Sequence, residues 1–275
     1  MLNNRSVAFI GAGSMAEAMI SGIVNTGYLS SNQIIVTNRR NQRRLQDLQE
    51  AYGIKGICRE ELNFDNIDIF ILAMKPKDVD STLNFLSNKL KPNQVILSVA
   101  AGIPTNCIEC NLPEGQPVVR IMPNTSSMIG ESATAICPGK HITEEVLEMV
   151  MELLSCLGTV YLIEEEQMDI FTGIAGSGPA YFYYLIEHME KAGKESGLDT
   201  GTIRRISAQI LLGAGKMIMQ QTDTPAQLRE KVTSPNGTTA AGLEELERHG
   251  GGRAIMQAVK GAAKRSQEMS SDYQR

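Results

Sequence analysis

The amino-acid sequence predicts an α/β fold: a doubly wound, Rossmann-type sheet in its first part, followed by an all-α helical domain in its last. Three observations carry this reading. Short, unbroken apolar runs alternate with segments of helical periodicity from Ser6 to Ile163. Such runs mark parallel strands buried on both faces. The first run stops at a glycine turn that opens a helix, and beyond Glu164 the strand pattern does not recur.

At 275 residues the chain suits two domains, with a boundary expected near Glu164, so 1–164 and 165–275. A hydrophobic content of 42% and a charged content of 21% are those of a globular protein in water. The net charge of −5 gives no basic field for nucleic acid or a membrane surface. Tryptophan is absent and aromatics make up 5%, so stacking platforms for single strands are not expected either. The chain passes from Met1 into a short strand without a charged-then-apolar leader, and no apolar run reaches transmembrane length; a cytoplasmic location is expected. Five scattered cysteines argue for reduced thiols. Cys107 and Cys110 form a C-x-x-C without a second pair to complete a zinc site, and the three histidines are isolated, so no metal is expected.

The first strand, Ser6 to Ile10, runs into Gly11-Ala12-Gly13-Ser14-Met15-Ala16, and helical periodicity follows to a stop at Gly27. Strand, glycine turn and helix are the context that gives a G-x-G-x-x-G/A string its meaning. Gly11 permits the tight turn, Gly13 admits a pyrophosphate, and Ala16 takes the small third position. Ile10, Gly11, Ala12, Gly13, Ser14 and Met15 are therefore candidate dinucleotide contacts. The next strand, Ile34 to Thr37, ends in Asn38-Arg39-Arg40, where a carboxylate would hold the ribose of NAD. Asn38 and Arg39, with Arg40, suit a 2′-phosphate, which favours NADP(H) and leaves NAD(H) possible; the arginines also suit a solvated helix start.

Further strands are expected at Lys55–Cys58, Ile67–Ala73, Gln94–Val99, Val118–Ile121, Ala133–Cys137 and Val160–Ile163, with helices between them, in a wholly parallel sheet. Ligands lie beyond the carboxyl ends of such strands. That singles out Ala73-Met74-Lys75-Pro76, then Val99-Ala100-Ala101-Gly102, then Met122-Pro123-Asn124-Thr125. Glu164, Glu165 and Glu166 read as an acidic helix start, favoured by the dipole.

The second half is helical. Gly173 to Tyr181 reads as a flexible turn with Pro179 at a helix start, and apolar stripes follow on helices to Lys194 and from Thr202 to Gln220. Ser234-Pro235-Asn236-Gly237 is turn chemistry, and Thr238-Thr239 then lead into good helix formers. A helix start of this kind points free N–H groups at one spot and suits a carboxylate or phosphate, although a cap by Thr238 or Thr239 is the plainer alternative. A helix to His249, a break at Gly250-Gly251-Gly252 and a last helix from Arg253 complete the chain, with a fraying polar tail from Ser266.

The stretch Leu228–Glu245 resembles the signature of the pyrroline-5-carboxylate reductase family, S-P-G/N-G-x-T followed by an apolar helix. The loops at Ala73–Pro76, Ala100–Gly102 and Met122–Thr125 resemble that family's cofactor loops, and Gly176–Tyr181 its G-S-G-P-A-Y motif. Asn236, Ala175 and Ser126 depart from the usual pattern. The resemblance spans nearly the whole chain. It implies NAD(P)H-dependent reduction of 1-pyrroline-5-carboxylate to L-proline, the last step of proline biosynthesis. It implies cofactor contacts at Ala73, Met74, Lys75, Pro76, Val99, Ala100, Ala101, Pro123 and Asn124. Substrate contacts would be Ser234, Gly237, Thr238, Thr239 and Glu165, with Thr239 hydrogen-bonded to the ring nitrogen, and the chain would work as a homodimer or a multiple of dimers. Two other functions stay open: reduction of another cyclic imine or a small 2-hydroxy acid, and a catalytically silent dinucleotide-binding regulator of the same fold.

Overall fold

The computed structural model describes residues 5–220 and 222–273. Its first compact unit comprises residues up to Ser177 together with the chain from Lys260 onward; Gly178–Val259 form the second.

The first unit is built on one eight-stranded sheet of order β3-β2-β1-β4-β5-β6-β7-β8. Its strands are β1 (Val7–Ile10), β2 (Ile34–Asn38), β3 (Lys55–Cys58), β4 (Ile69–Leu72), β5 (Val95–Ser98), β6 (Val118–Met122), β7 (Ser132–Pro138) and β8 (Gly158–Leu162). From β3 to β6 every pairing is parallel, in register Ile10 with Thr37 on one side and Ile10 with Leu72 on the other. The expectation of a wholly parallel sheet is corrected at β7, which pairs antiparallel with β6 and parallel with β8. The connection from Met122 to Ser132 holds only a 3₁₀ turn, Thr125–Ile129, too short for the crossover a parallel neighbour requires.

Helices α1 (Ser14–Asn25), α2 (Gln42–Tyr52), α3 (Val79–Ser87), α4 (Thr105–Glu109) and α5 (Glu144–Ser155) cover the two faces. Alternation along a single strand feeds both layers. Val7 and Phe9 join Met19, Ile20 and Ile23 of α1 and Leu153 of α5, whereas Ala8 and Ile10 join Leu83 and Leu86 of α3 and Ile108 of α4. These side chains are completely or almost completely buried, which explains why their strands read as unbroken apolar runs.

Beyond β8 come α6 (Met168–Phe171) and one turn of π-helix, Thr172–Gly176, which replaces the flexible turn expected there. The backbone is closed rather than loose, and the Ala175 carbonyl accepts a hydrogen bond from Asn124 Nδ2 at 3.1 Å. The second unit contains α7 (Gly178–Glu195), α8 (Thr200–Gln220), α9 (Pro225–Lys231), α10 (Thr238–Arg248) and the first part of α11 (Gly251–Tyr273). Arg204 of α8 donates through Nε and Nη2 to both oxygens of Glu190 on α7, at 2.7 and 3.2 Å. The predicted triple-glycine break contracts to Gly250, at φ +72°; Gly251 and Gly252 already belong to α11.

The end of α11 also departs from expectation. Ser266 does not begin a fraying tail: it is 3% exposed and its hydroxyl donates to Asp169 Oδ1 at 2.6 Å. Gly102, at φ +73°, faces Met269 so closely that an added Cβ would lie 2.7 Å from the methionine Cβ. The polar composition of this stretch reflects its exposed side, which hid the side that seats on the loop after β5.

Candidate active site

The switch point of the sheet lies between the neighbouring strands β1 and β4, and a cavity of about 600 Å³ opens beyond their carboxyl ends. Gly11, at φ +118°, leaves β1 with its N–H donating to the Thr37 carbonyl at 3.1 Å, and a methyl at this position would collide with the Ala73 carbonyl. Gly13 has open space where its side chain would be, and it caps α1 without a side-chain partner. The first amides of α1 thus face an unobstructed surface, the arrangement that receives a pyrophosphate. Glu17 sits in that first turn, where an acid would repel an anion, but it is paired with Arg44. Arg44 Nε also donates to the Ala12 carbonyl at 3.0 Å, pinning the glycine turn. Sequence reading missed this arginine.

Of the predicted contacts, Ile10, Gly11, Ala12 and Gly13 line the cavity, as do Asn38, Arg39, Ala73, Met74 and Lys75. Asn38 Oδ1 accepts from the amides of Arg40 and Asn41 at 3.0 and 3.1 Å, so it shapes the turn that presents the exposed Arg39 and Arg40. Ser14 lies beside the cavity at the exposed start of α1, Met15 packs its side chain on the core, and Pro76 begins the 3₁₀ turn after β4. Val99, Ala100 and Ala101 continue β5 and lie outside the cavity lining; Ala100 is buried and Ala101 packs against Met122 and Met168. Pro123 and Asn124 are buried in the loop after β6, where the Asn124 side chain accepts from Ser126 N at 2.9 Å as well as donating to Ala175.

The cavity wall also holds Arg59 and Lys77, which the sequence did not single out. Arg59 directly follows β3, so the rule of carboxyl strand ends, applied to that strand as well, would have named it. Five cations, Arg39, Arg40, Arg59, Lys75 and Lys77, thus face one cleft against a single carboxylate, Asp78. None forms an ion pair among the described residues. Unpaired positive charge of this density fits a ligand carrying several phosphates.

Glu165 has its carboxylate engaged. One oxygen pairs with Arg120, a 2%-exposed guanidinium on β6, and the other accepts from Thr105 N at 3.2 Å and Thr105 Oγ1 at 3.0 Å. Cys137 Sγ lies 3.6 Å from the same carboxylate; burial first, then this negative charge, push the thiol up to about 12.

In the helical unit, Ser234 to Thr239 form the predicted turn. Asn236 is the single non-glycine residue with positive φ among the described residues, at +59°, a conformation asparagine tolerates. Gly237 donates to the Ser234 carbonyl at 3.0 Å and caps α10, with no side-chain cap. Neither Thr238 nor Thr239 is therefore the cap: both stand in the first turn of the helix, exposed. The first helical bond runs from Ala241 N–H to the Gly237 carbonyl, so the amides of Thr238, Thr239 and Ala240 have no helical acceptor. The Ser234 hydroxyl rests against the Gly237 α-carbon, where any side chain larger than hydrogen would meet it.

Comparison with known proteins bears on both units. Residues 165–269 match the model described as pyrroline-5-carboxylate reductase dimerisation, and residues 6–102 match that described as NADP oxidoreductase, coenzyme F420-dependent. The chain is 56% identical to pyrroline-5-carboxylate reductase 1 of Bacillus spizizenii over 275 residues, covering 100% of this chain and 93% of the relative. It is 37% identical to the pyrroline-5-carboxylate reductase of Methanosarcina acetivorans, with 98% and 99% covered. Among solved structures, pyrroline carboxylate reductase of Plasmodium falciparum with NADP bound superimposes with a TM-score of 0.88 at 27% identity, covering 98% of this chain and 99% of that one. With full-length identity of this order and both units matched, the chain belongs to the pyrroline-5-carboxylate reductase family.

Proposed function

We propose that the chain reduces 1-pyrroline-5-carboxylate to L-proline, with NADPH preferred over NADH as donor and the chemistry divided between residues 1–164, which hold the dinucleotide, and 165–275, which hold the substrate and associate into a homodimer or a multiple of dimers. The observation that carries it is the start of α10: three amides without helical acceptors beside the Ser234 hydroxyl, in a chain whose other unit presents a cationic dinucleotide cleft.

The nicotinamide supplies the hydride when bound; the protein binds, orients and excludes water. Gly11 and Gly13 cradle the pyrophosphate at the start of α1, and Arg39 and Arg40 meet the ribose end. In the other unit, the amides of Thr238 and Thr239, with Gly237 leaving room, take the substrate carboxylate, which the positive end of α10 favours. Thr239 Oγ1 orients the ring nitrogen. A threonine hydroxyl is too weak an acid to be the proton source, so water or prior protonation of the imine supplies that proton. Glu165 acts through Arg120 and Thr105, holding the loop after β5 to the sheet, instead of as a free substrate ligand.

Self-association has its own support. Within α7 to α10, burial among the described residues is confined to Gly178, Ile203 and Ser207, and Phe182, Leu185, Ile206 and Ile210 are each at least 42% exposed. Apolar helical faces on this scale need a partner. No helix among the described residues is long and apolar enough to cross a membrane, and a cytoplasmic place of work belongs to the same proposal.

The test is a substrate panel with NADPH: pyrroline-5-carboxylate, a six-membered cyclic imine acid and a 2-keto acid. Turnover of the five-membered imine well above the others is expected. Turnover of the keto acid alone would overturn the reading.

A further inference from the structure

We infer that Arg59 reads the 2′-phosphate of the dinucleotide and is, with Arg39, a determinant of the preference for NADPH. The inference rests on the reading of the cleft as an NADPH site and adds a residue to it.

Arg59 stands at the carboxyl end of β3, on the side of the cleft that a ribose attached at the end of β2 would face. Its guanidinium carbon lies 4.4 Å from the centroid of the Phe85 ring, so the flat cation rests on an aromatic side chain. Phe85 is in turn held by Phe64, with ring centroids 5.9 Å apart, and Phe64 packs on the buried Phe70 at 5.3 Å. Arg39 and Arg40, by contrast, are exposed and have no such support.

The electrostatics of Arg59 are incomplete. Nε is buried and has no hydrogen-bond partner, and no carboxylate pairs with the group among the described residues. A buried donor left unsatisfied is costly, and a guanidinium presents paired donors in a fork that suits phosphate oxygens. The 2′-phosphate is the part of NADPH that NADH lacks, and it adds roughly one and a half to two negative charges. A guanidinium at the ribose end of the cleft with no carboxylate beside it matches that group, whereas to a 2′-hydroxyl it offers only a hydrogen bond to a neutral oxygen, without the charge attraction.

The experiment measures binding of 2′,5′-ADP and 5′-AMP to the full chain by calorimetry, and KM for NADPH and NADH, in the wild type and in Arg59→Gln, Arg59→Lys, Phe85→Leu and Arg39→Asp. Arg59→Gln should raise the NADPH KM and the 2′,5′-ADP Kd roughly ten- to a hundredfold and leave NADH and 5′-AMP within about twofold, as loss of one charge-assisted pair predicts. Arg59→Lys keeps charge without the fork and should fall between. Phe85→Leu should lose part of the same preference, because it removes the supporting ring. Equal loss for both cofactors would assign Arg59 to the shared adenosine or to folding and overturn the inference. An unchanged NADPH preference in Arg59→Gln, with Arg39→Asp abolishing it, would do the same while leaving the NADPH reading standing. A wild type that shows no preference for NADPH would remove that reading and the inference together.

Discussion

Gly11 lies against the carbonyl of Ala73 just beyond the paired ends of β1 and β4, so close that even a methyl group on Gly11 would overlap the carbonyl oxygen. The contact brings the glycine turn and the loop after β4 into one wall of the cleft. Gly11→Ala combines this clash with a φ of +118° and should destabilise the fold by about 1–3 kcal/mol. Gly13→Ala meets open space in the protein itself. It should keep the melting temperature and lose dinucleotide affinity, because the methyl stands where the pyrophosphate must approach. Melting and NADPH titration on the two variants check this; identical behaviour would mean that the two glycines do not divide the work as described.

The helical faces give a second prediction. Leu185 and Ile210 are 42% and 55% exposed in the single chain. Leu185→Glu or Ile210→Glu should leave the wild-type oligomer unable to form, giving monomers by light scattering at micromolar concentration with sharply reduced turnover. An active monomer, in the wild type or in either variant, would contradict self-association through these helices.

One buried thiol, Cys137, and one half-buried thiol, Cys156, set a pH dependence. The folded chain raises Cys137 from 9.0 to about 12 and Cys156 from 9.0 to about 11, in both cases chiefly by burial. Below pH 9 both folded and unfolded forms keep these protons, and the stability is fully present. As pH rises from about 9 towards 11 and 12, the unfolded chain sheds protons that the folded chain retains, so stability falls across that window. The fall in urea midpoint between pH 8.5 and pH 10.5, roughly the onset of that window, should be smaller in Cys137→Ala than in the wild type. An equal fall would show that Cys137 ionises as it does in the unfolded chain.

Much of this was legible from the residues. The glycine turn after Ile10 and the basic end of β2 are local features: a backbone that must turn tightly leaves glycines, and a strand end that meets phosphate lacks a carboxylate. The turn from Ser234 to Gly237 was legible for the same reason, down to Asn236 at positive φ. What stayed hidden depends on partners far away in sequence. Glu165 read as part of an acidic helix start and, by the resemblance, as a substrate contact; its pairing with Arg120, 45 residues earlier, shows only in the fold. Ser266 read as tail because its partner, Asp169, is 97 residues away. The antiparallel β7 was masked by burial, since a strand covered on both faces looks apolar in either direction. Arg59 was passed over because one charged residue after a short strand has no periodicity to announce it.

If the start of α10 holds the imine during hydride transfer, removal of the Thr239 side chain reports on it. Its hydroxyl belongs to the first turn of α10 and caps nothing, so stability should barely change on its removal. In Thr239→Ala, kcat for pyrroline-5-carboxylate with NADPH should fall by roughly 10²-fold, the loss expected for one preorganised hydrogen-bonding group. KM should move less, because the backbone amides that receive the carboxylate remain. Thr239→Ser should recover much of the rate. A Thr239→Ala enzyme with wild-type kcat and an unchanged melting temperature would remove Thr239 from the reaction and place the reacting nitrogen elsewhere.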